Sequence, residues 1–159
     1  MIWKEIHKNN EIFDHVAAIW RHEQALPSWF VSSSNIWTGT LDEFMSFADD
    51  CQEIYGLFDD ERLAACIYIE KQTDARVIAI HLSVLEKIDT AVFADKLSEL
   101  RNMMFRRGVK CIRGWTLKKN FGLVRLMTAV GFRGTNFTLA HGEARGRVLK
   151  WEMMEVRAV

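Results

Sequence analysis

One titratable side chain stands in the middle of an apolar, strand-like run of the sequence. His81 lies within Arg76 to Leu85, a run rich in isoleucine, leucine and valine. An imidazole titrates near neutral pH, so it can take a proton from a nucleophile at that pH. In a regular strand His81 points away from the face of Ile78 and Ile80, whereas a β-bulge would reverse its direction. We predict that His81 is a general base; the alternative is a core or surface histidine.

Further polar residues could line a site beside such a base. Tyr68 and Glu70 belong to another strand-like run, and His141 and Glu143 belong to a segment that carries glycines. Side chains of these types bind substrates by hydrogen bonds and charge. We predict that Tyr68 and His141 contact a substrate; the alternative is that they are surface residues.

An aromatic group surrounds the single proline, Pro27. It consists of Trp20, Trp29, Phe30 and Trp37. Six tryptophans in 159 residues are many, and large aromatic side chains are frequent in ligand and partner sites. We predict that Trp29 and Phe30 form a wall of the substrate site or a partner surface. The alternative is that the aromatic group only caps an open end of the core.

Basic and acidic residues are separated along the chain although the formal net charge is zero. Residues 1–100 contain 8 Lys/Arg and 18 Asp/Glu, whereas residues 101–142 contain 9 Lys/Arg and no acidic residue. Such a stretch produces a positive local field, which attracts a phosphate-bearing ligand. The alternative is chance together with a solvated helix face.

Length and composition limit the class of protein. A chain of 159 residues with 49% hydrophobic and 26% charged residues is typical of one globular domain, so we assign residues 1–159 to a single domain. The three cysteines, Cys51, Cys66 and Cys111, show no paired spacing, so we predict neither a disulfide framework nor a metal site. No apolar run spans a membrane and the start does not resemble a signal peptide, so we expect a cytoplasmic protein with no membrane partner.

Hydrophobic periodicity and turn residues predict the order β-α-α-β-β-β-α-β-α-β-β. Capping residues support all four helices, since a helical pattern follows Asn9-Asn10, Thr40, Asp89 or Thr90, and Asn120. The last two strands are predicted at Phe132–Ala140 and Arg147–Val156, joined by a loop from His141 to Gly146. We therefore expect an α/β (α+β) domain with a mixed, mostly antiparallel sheet of about seven strands.

The order of elements resembles the GCN5-related N-acetyltransferase (GNAT) superfamily over nearly the whole chain. The sharpest match is the segment from Asn120 to Phe132, which resembles the fourth helix of that family. Asn120 begins the helix, Arg125-Leu126 follows five residues later, and Gly131-Phe132 closes it. The resemblance implies transfer of an acetyl group from acetyl-CoA to an amine of a protein or small molecule.

The same resemblance implies where acetyl-CoA would bind. The pantetheine arm would pair with the backbone of Leu82, Ser83 and Val84, and Asn120 and Arg125 would contact the cofactor. The diphosphate would lie in a glycine-rich loop at the start of the third helix. In this sequence that loop reads Asp89-x-x-Val92-x-Ala94, in which only Ala94 fits the family pattern. A carboxylate and a β-branched side chain oppose the close approach of an anion.

Two catalytic positions of the family also differ here. The tyrosine that serves as general acid corresponds to Met127, which has no proton to donate, so Cys111, Ser83 or water would have to act. The carboxylate of the fourth strand corresponds to apolar Ile78 or Ile80, which leaves His81 as the titratable group of that strand.

These features favour two functions. The first is an N-acetyltransferase; the second is an inactive GNAT-like binding module that docks on a partner protein. Compactness, tryptophan content and the glycine-free loop also resemble GNAT-like proteins of short-tailed bacteriophages, in which case the protein would act in the host cytoplasm. Nucleic acid is not an expected partner, because the basic stretch lacks any groove-reading motif.

Overall fold

The computed structural model describes residues 1–9, 14–15, 17–21, 40–144 and 146–159. The predicted order of elements is confirmed in this part of the chain. The elements are β1 (Ile2–Glu5), α1 (helical residues 14, 15 and 17–21), α2 (Leu41–Asp50), β2 (Glu53–Asp59), β3 (Arg62–Lys71), β4 (Val77–Val84), α3 (Thr90–Arg106), β5 (Cys111–Leu117), α4 (Phe121–Ala129), β6 (Arg133–Ala144) and β7 (Arg147–Arg157).

The helix ends follow the capping residues of the sequence. Thr40 caps α2 through a capping box, since its hydroxyl oxygen accepts from the Glu43 amide and the Glu43 carboxylate accepts from the Thr40 amide. Asp89 caps α3 and Asn120 caps α4. Gly108 and Gly131 follow α3 and α4 with φ of 97° and 99°, a conformation that stops a helix and that glycine adopts without strain.

All seven strands form one mixed sheet in the order β1-β2-β3-β4-β5-β7-β6. Every neighbouring pair is antiparallel except β4 and β5, which are parallel and connected through α3. The prediction of a loop from His141 to Gly146 was wrong, because β6 continues to Ala144. The register of β6 against β7 shifts after Gly134 and after Ala140, which accommodates residues of β6 that do not follow the regular pairing. Strand β6 therefore stays paired with β7 as far as Ala144.

The core consists of two clusters, one on each face of the sheet. The larger packs α3 and α4 against one face, with Phe93, Leu97, Leu100 and Met104 of α3 buried as the helical spacing predicted. The smaller packs Ile19 of α1 and the α2 residues Phe44 and Ala48 against the other face. The sequence places Ile12 and Val16 at helical spacing on the same face as Ile19, and both lie outside the described part. A cavity of about 20 Å³ lies within the larger cluster, which is room for no more than a water molecule.

An ion pair fastens the end of α3 to β2. The Arg107 guanidinium donates to both carboxylate oxygens of Glu53 and, at 2.9 Å, to the Tyr55 hydroxyl, which itself donates to Glu53 at 2.7 Å. The hydrogen bond from Arg107 holds the pKa of Glu53 below its ordinary value, and burial raises the pKa of Tyr55 to about 12. The ionised carboxylate of Glu53 therefore stabilises the fold.

Arg107→Ala should lower the free energy of unfolding by about 1–2 kcal/mol, because Glu53 loses a charged partner that is itself half exposed. The ordinary pKa of Glu53 is 4.5, so its contribution is complete above that pH and is lost as the pH falls through the lower folded-state pKa. Urea unfolding between about pH 7 and about pH 3 measures this. Arg107→Ala should flatten the pH dependence, whereas Arg106→Ala, which removes an exposed charge from the same turn, should preserve it.

Candidate functional site

The sheet splits between β4 and β5. The parallel ladder joins Val77, Ile78 and Ala79 to residues 111–113 and ends there. Beyond this point β4 continues along β3 to Val84, and β5 continues along β7 to Leu117. Within the described residues, residues 80–84 of β4 have no paired residue in β5. An extended ligand that inserts between two strands needs such an internal edge.

His81 lies on β4 within the split segment and forms an ion pair with β3. Its Nε2 atom is 2.7 Å from Oε2 of Glu70. The hydrogen bond to His81 lowers the pKa of Glu70 from its ordinary value, so the carboxylate is ionised at neutral pH. An ionised carboxylate at Nε2 favours the tautomer with the proton on that nitrogen, which makes Nδ1 the proton acceptor. Only 13% of the His81 side chain is exposed, against 43% for Glu70.

Strand β4 is regular, which decides the direction of His81. Its register with β3 is constant from Val84 opposite Ala65 to Ile78 opposite Lys71, so no bulge interrupts the pleat. His81 therefore points away from the face of Ile78 and Ile80, as expected for a regular strand, and faces the side of the sheet that α2 covers. The ring of Phe47 in α2 meets the imidazole edge to face at 5.0 Å.

Tyr68 supports this site from within the core. It lies opposite His81 on β3, is fully buried, and contacts the rings of Phe44 at 5.8 Å and Phe47 at 5.7 Å. It is not at the surface, so its predicted contact with a substrate stays a prediction. The observed contacts place Tyr68 between the sheet and α2, where it fixes the position of the aromatic layer above His81.

Ser83 follows His81 on the same face of β4 and is also fully buried. Among the described residues its hydroxyl has no hydrogen-bond partner. A buried hydroxyl without a partner is unfavourable, and it is therefore suited to a ligand or water that enters the split. Leu82 and Val84 point to the opposite face and pack in the larger cluster, which leaves their backbone for the predicted pairing with pantetheine.

The cysteines are poor proton donors in this structure. Burial raises the pKa of Cys51 and of Cys66 to about 12, and it also raises the pKa of Cys111. Cys111 lies in the paired part of β5 and its thiol is 3.6 Å from the Glu155 carboxylate. Of the two side chains predicted to replace the missing tyrosine, only Ser83 lies within the split segment.

The start of α3 is occupied by its own cap. One carboxylate oxygen of Asp89 accepts hydrogen bonds from the amides of Ala91 at 3.0 Å and Val92 at 3.1 Å. The side chain of Val92 is exposed, and Ala94 packs against the larger core cluster. This is the position at which the sequence predicted the diphosphate. The amides that would bind an anion already bind a carboxylate.

The α4 residues divide between capping, core and surface. Asn120 uses its side-chain oxygen to accept from the Leu123 amide at 3.1 Å, so helix capping is one role of this residue. Arg125 is exposed. Met127 is buried in the larger cluster on the face opposite His81, which agrees with its lack of any acid role.

Some predicted residues are not brought to the site by the described structure. Trp29, Phe30 and Trp37 lie outside the described residues, and Trp20 packs against the smaller core cluster. His141 is exposed on β6, where its carbonyl oxygen accepts from the indole of buried Trp151 at 2.9 Å. No group of three or more potential metal ligands lies together among the described residues.

Glu70 is the functional candidate that sequence reasoning underrated. It appeared only as a residue of a neighbouring strand, although the short turn at residues 72–76 sets the register of the β3–β4 hairpin. Counting back from that turn places Tyr68 opposite His81 and Glu70 on its diagonal, which is the observed arrangement. The hairpin register could therefore have identified the pair.

Comparison with solved structures identifies the fold. A candidate acetyltransferase of Salmonella typhimurium with its cofactor acetyl-CoA is 14% identical with a TM-score of 0.73, covering 99% of this chain and 94% of that one. The ribosomal-protein-alanine N-acetyltransferase of Brucella melitensis is 13% identical with a TM-score of 0.72, covering 99% and 100%. A Bacillus subtilis acetyltransferase in complex with CoA is 12% identical with a TM-score of 0.68, covering 99% of each chain.

No protein-family model and no curated protein matches the sequence. The structural similarity nevertheless extends over nearly the whole chain. The protein has the fold of the GCN5-related N-acetyltransferases, with the mixed sheet that the order of elements in the sequence predicted. None of the described helices is long and apolar enough to cross a membrane.

Proposed function

We propose that the protein is an N-acetyltransferase that takes acetyl-CoA into the split between β4 and β5. The observation that carries the proposal is the Glu70–His81 pair, whose histidine lies on the split segment of β4 while its glutamate lies on β3. In this proposal the thioester of the bound donor lies next to His81. The acceptor is an amine of a protein or small molecule.

In this mechanism Glu70 holds the Nε2 proton of His81, so the Nδ1 lone pair faces the acceptor. His81 removes a proton from the amine as its nitrogen attacks the thioester carbonyl. The new C–N bond forms and the C–S bond breaks, which releases the acetylated amine and a thiolate. The imidazolium, or water, then returns the proton to the thiolate, so charge and protons balance.

Ser83 is assigned a supporting role in the same step. Its hydroxyl is buried, has no partner among the described residues, and lies two residues beyond His81 on the same face. A hydroxyl in that position can donate a hydrogen bond to the thiolate as the C–S bond breaks. Ser83 thus stabilises the leaving thiolate, while the imidazolium or water supplies the proton that Met127 cannot supply.

The test combines binding with transfer. Acetyl-CoA and desulfo-CoA are titrated into the protein by calorimetry, and acetyl transfer is followed by mass spectrometry on a peptide with an N-terminal alanine, a lysine peptide and spermidine. We expect micromolar binding of acetyl-CoA and a mass increase of one acetyl group on one class of acceptor. Absence of heat at millimolar acetyl-CoA would contradict the proposal.

The second candidate is a binding module that has lost catalysis, and one observation favours it. The α3 amides bind Asp89 rather than standing free for a diphosphate. If acetyl-CoA neither binds nor raises the melting temperature, the GNAT fold serves as a scaffold for a partner protein. The predicted partner surface around Trp29 and Phe30 would then be the region to mutate.

A further inference from the structure

The first turn of α3 shows which part of a donor the protein can recognise. Asp89 binds the Ala91 and Val92 amides through its side chain and the Phe93 amide, at 2.9 Å, through its backbone oxygen. The amides at the start of a helix are the groups that bind phosphate oxygens, together with the positive end of the helix dipole. Here a carboxylate already neutralises that end.

Two further features of this turn oppose a diphosphate. The Val92 side chain is 43% exposed, so a branched side chain stands where a donor would approach the backbone. The first turn of α3, which begins at Thr90, also contains no basic side chain. A diphosphate placed here would meet the negative charge of Asp89, and the nearest basic residue along the chain, Lys87, is exposed ahead of the cap.

The other half of the donor meets no such obstacle. The internal edge of β4 at residues 80–84 is available to the amide groups of a pantetheine arm, and Ser83 supplies a buried hydroxyl without a partner among the described residues. The structure therefore favours binding of the pantetheine half of the donor and disfavours binding of its diphosphate half.

Resting on the proposed function, we propose that the protein recognises its acyl donor by the pantetheine thioester alone, and that Asp89 is the specificity-determining residue that excludes the diphosphate from the start of α3. In this arrangement the nucleotide half of acetyl-CoA stays in solvent and adds little to affinity.

Basic residues elsewhere at this end of the split do not replace the lost site. Lys118, Lys119 and Arg125 are exposed on or just before α4. Exposed cations attract a nucleotide through solvent, and that attraction is screened when the Debye length is short. Measurements at about 0.3 M salt therefore distinguish this attraction through solvent from direct binding of the diphosphate at the protein surface.

The experiment compares acetyl-CoA with acetyl-pantetheine by calorimetry at that salt concentration. For the unmodified protein we expect the two dissociation constants to agree within about threefold, since a larger ratio would require a nucleotide contribution above roughly 0.7 kcal/mol. Asp89→Gly frees the amides and should tighten acetyl-CoA about tenfold, a size typical of a charge at a helix end, while leaving acetyl-pantetheine unchanged.

Two variants control for folding and for charge. Asp89→Asn keeps the cap, because asparagine caps a helix as well as aspartate does, and should tighten acetyl-CoA by about threefold through loss of the charge. Asp95→Asn removes the same charge from an exposed position six residues further along α3 and should change neither donor.

The outcomes separate this inference from the proposed function. If the unmodified protein binds acetyl-CoA more than about tenfold tighter than acetyl-pantetheine, the nucleotide is recognised and the inference is wrong, although the proposed function stands. An unchanged ratio of the two affinities in Asp89→Gly overturns the role of Asp89 alone. If neither donor binds any of the proteins, the proposed function fails and the inference fails with it.

Discussion

Replacing His81 with glutamine should reduce the acetyl-transfer rate by about 10²- to 10⁴-fold, the usual contribution of a general base. The side chain points away from the face that holds Leu82 and Val84, so the affinity for acetyl-CoA should stay within about twofold. Initial rates with the best acceptor, together with calorimetric titration of the donor, measure both effects. A fall in kcat without a change in donor affinity identifies a group that acts on the reacting atoms.

Glu70→Gln tests whether Glu70 positions the imidazole of His81. The amide cannot hold the imidazole as an ionised carboxylate does, and loss of such an orienting partner should cost about 10- to 100-fold in rate. The hydrogen bond to His81 keeps the pKa of Glu70 below its ordinary value of 4.5. The carboxylate of Glu70 therefore stays ionised until the pH falls below that value. The rate of the unmodified protein should therefore lose the contribution of Glu70 only in acid.

The control for both substitutions is His7→Gln, which removes an imidazole from an exposed position near β1. It should leave rate and affinity unchanged. If His81→Gln behaves like this control, His81 is a core histidine and the proposed base is wrong. Equal melting temperatures of the three proteins would exclude misfolding as the cause of a lost rate.

The largest effect on stability should come from Phe44→Ala in α2. Phe44 is fully buried and its ring contacts Tyr68 beneath the candidate site. Truncation of a buried phenylalanine costs about 3–5 kcal/mol, which is a large part of the 5–15 kcal/mol that stabilises a typical domain. At about 2–4 °C for each kcal/mol, the melting temperature should fall by roughly 6–20 °C.

Two comparisons make this prediction specific to the packing of α2. Phe44→Leu keeps most of the buried volume and should cost less than about 1.5 kcal/mol. Phe121→Ala makes the same truncation at a side chain that is 69% exposed, and it should change stability by no more than about 0.5 kcal/mol. Equal urea midpoints for Phe44→Ala and Phe121→Ala would show that α2 is not packed on the sheet as described.

Local chemistry explains why so much of the fold could be predicted from the sequence. The caps at Thr40, Asp89 and Asn120 and the stop at Gly131 depend on residues within one helical turn. The three consecutive strands β2, β3 and β4 likewise depend on alternation and on two short turns. In each case the interacting groups are neighbours in the chain, so a pattern in the sequence is sufficient.

Features that depend on distant packing could not be predicted in the same way. The glycines of the segment from His141 to Gly146 indicated that β6 ends at Ala140, but pairing with β7 and two register shifts carry the strand to Ala144. The split shows the same limit, because nothing in the composition of β4 or β5 marks the residue at which their ladder ends. Where their ladder ends depends on how each strand pairs with its outer neighbour.

Binding of a ligand in the split would also affect how firmly the two halves of the sheet are held together. In the part of the chain that the structure describes, three residue pairs at Val77–Ala79 are the only direct ladder between the half formed by β1 to β4 and the half formed by β5, β7 and β6. A ligand that hydrogen-bonds along the internal edge would add a further connection between the two halves of the sheet. Any molecule that binds the folded protein there must raise its resistance to unfolding, by an amount set by its concentration relative to its dissociation constant. A donor bound as proposed would therefore also help to hold the two halves of the sheet together.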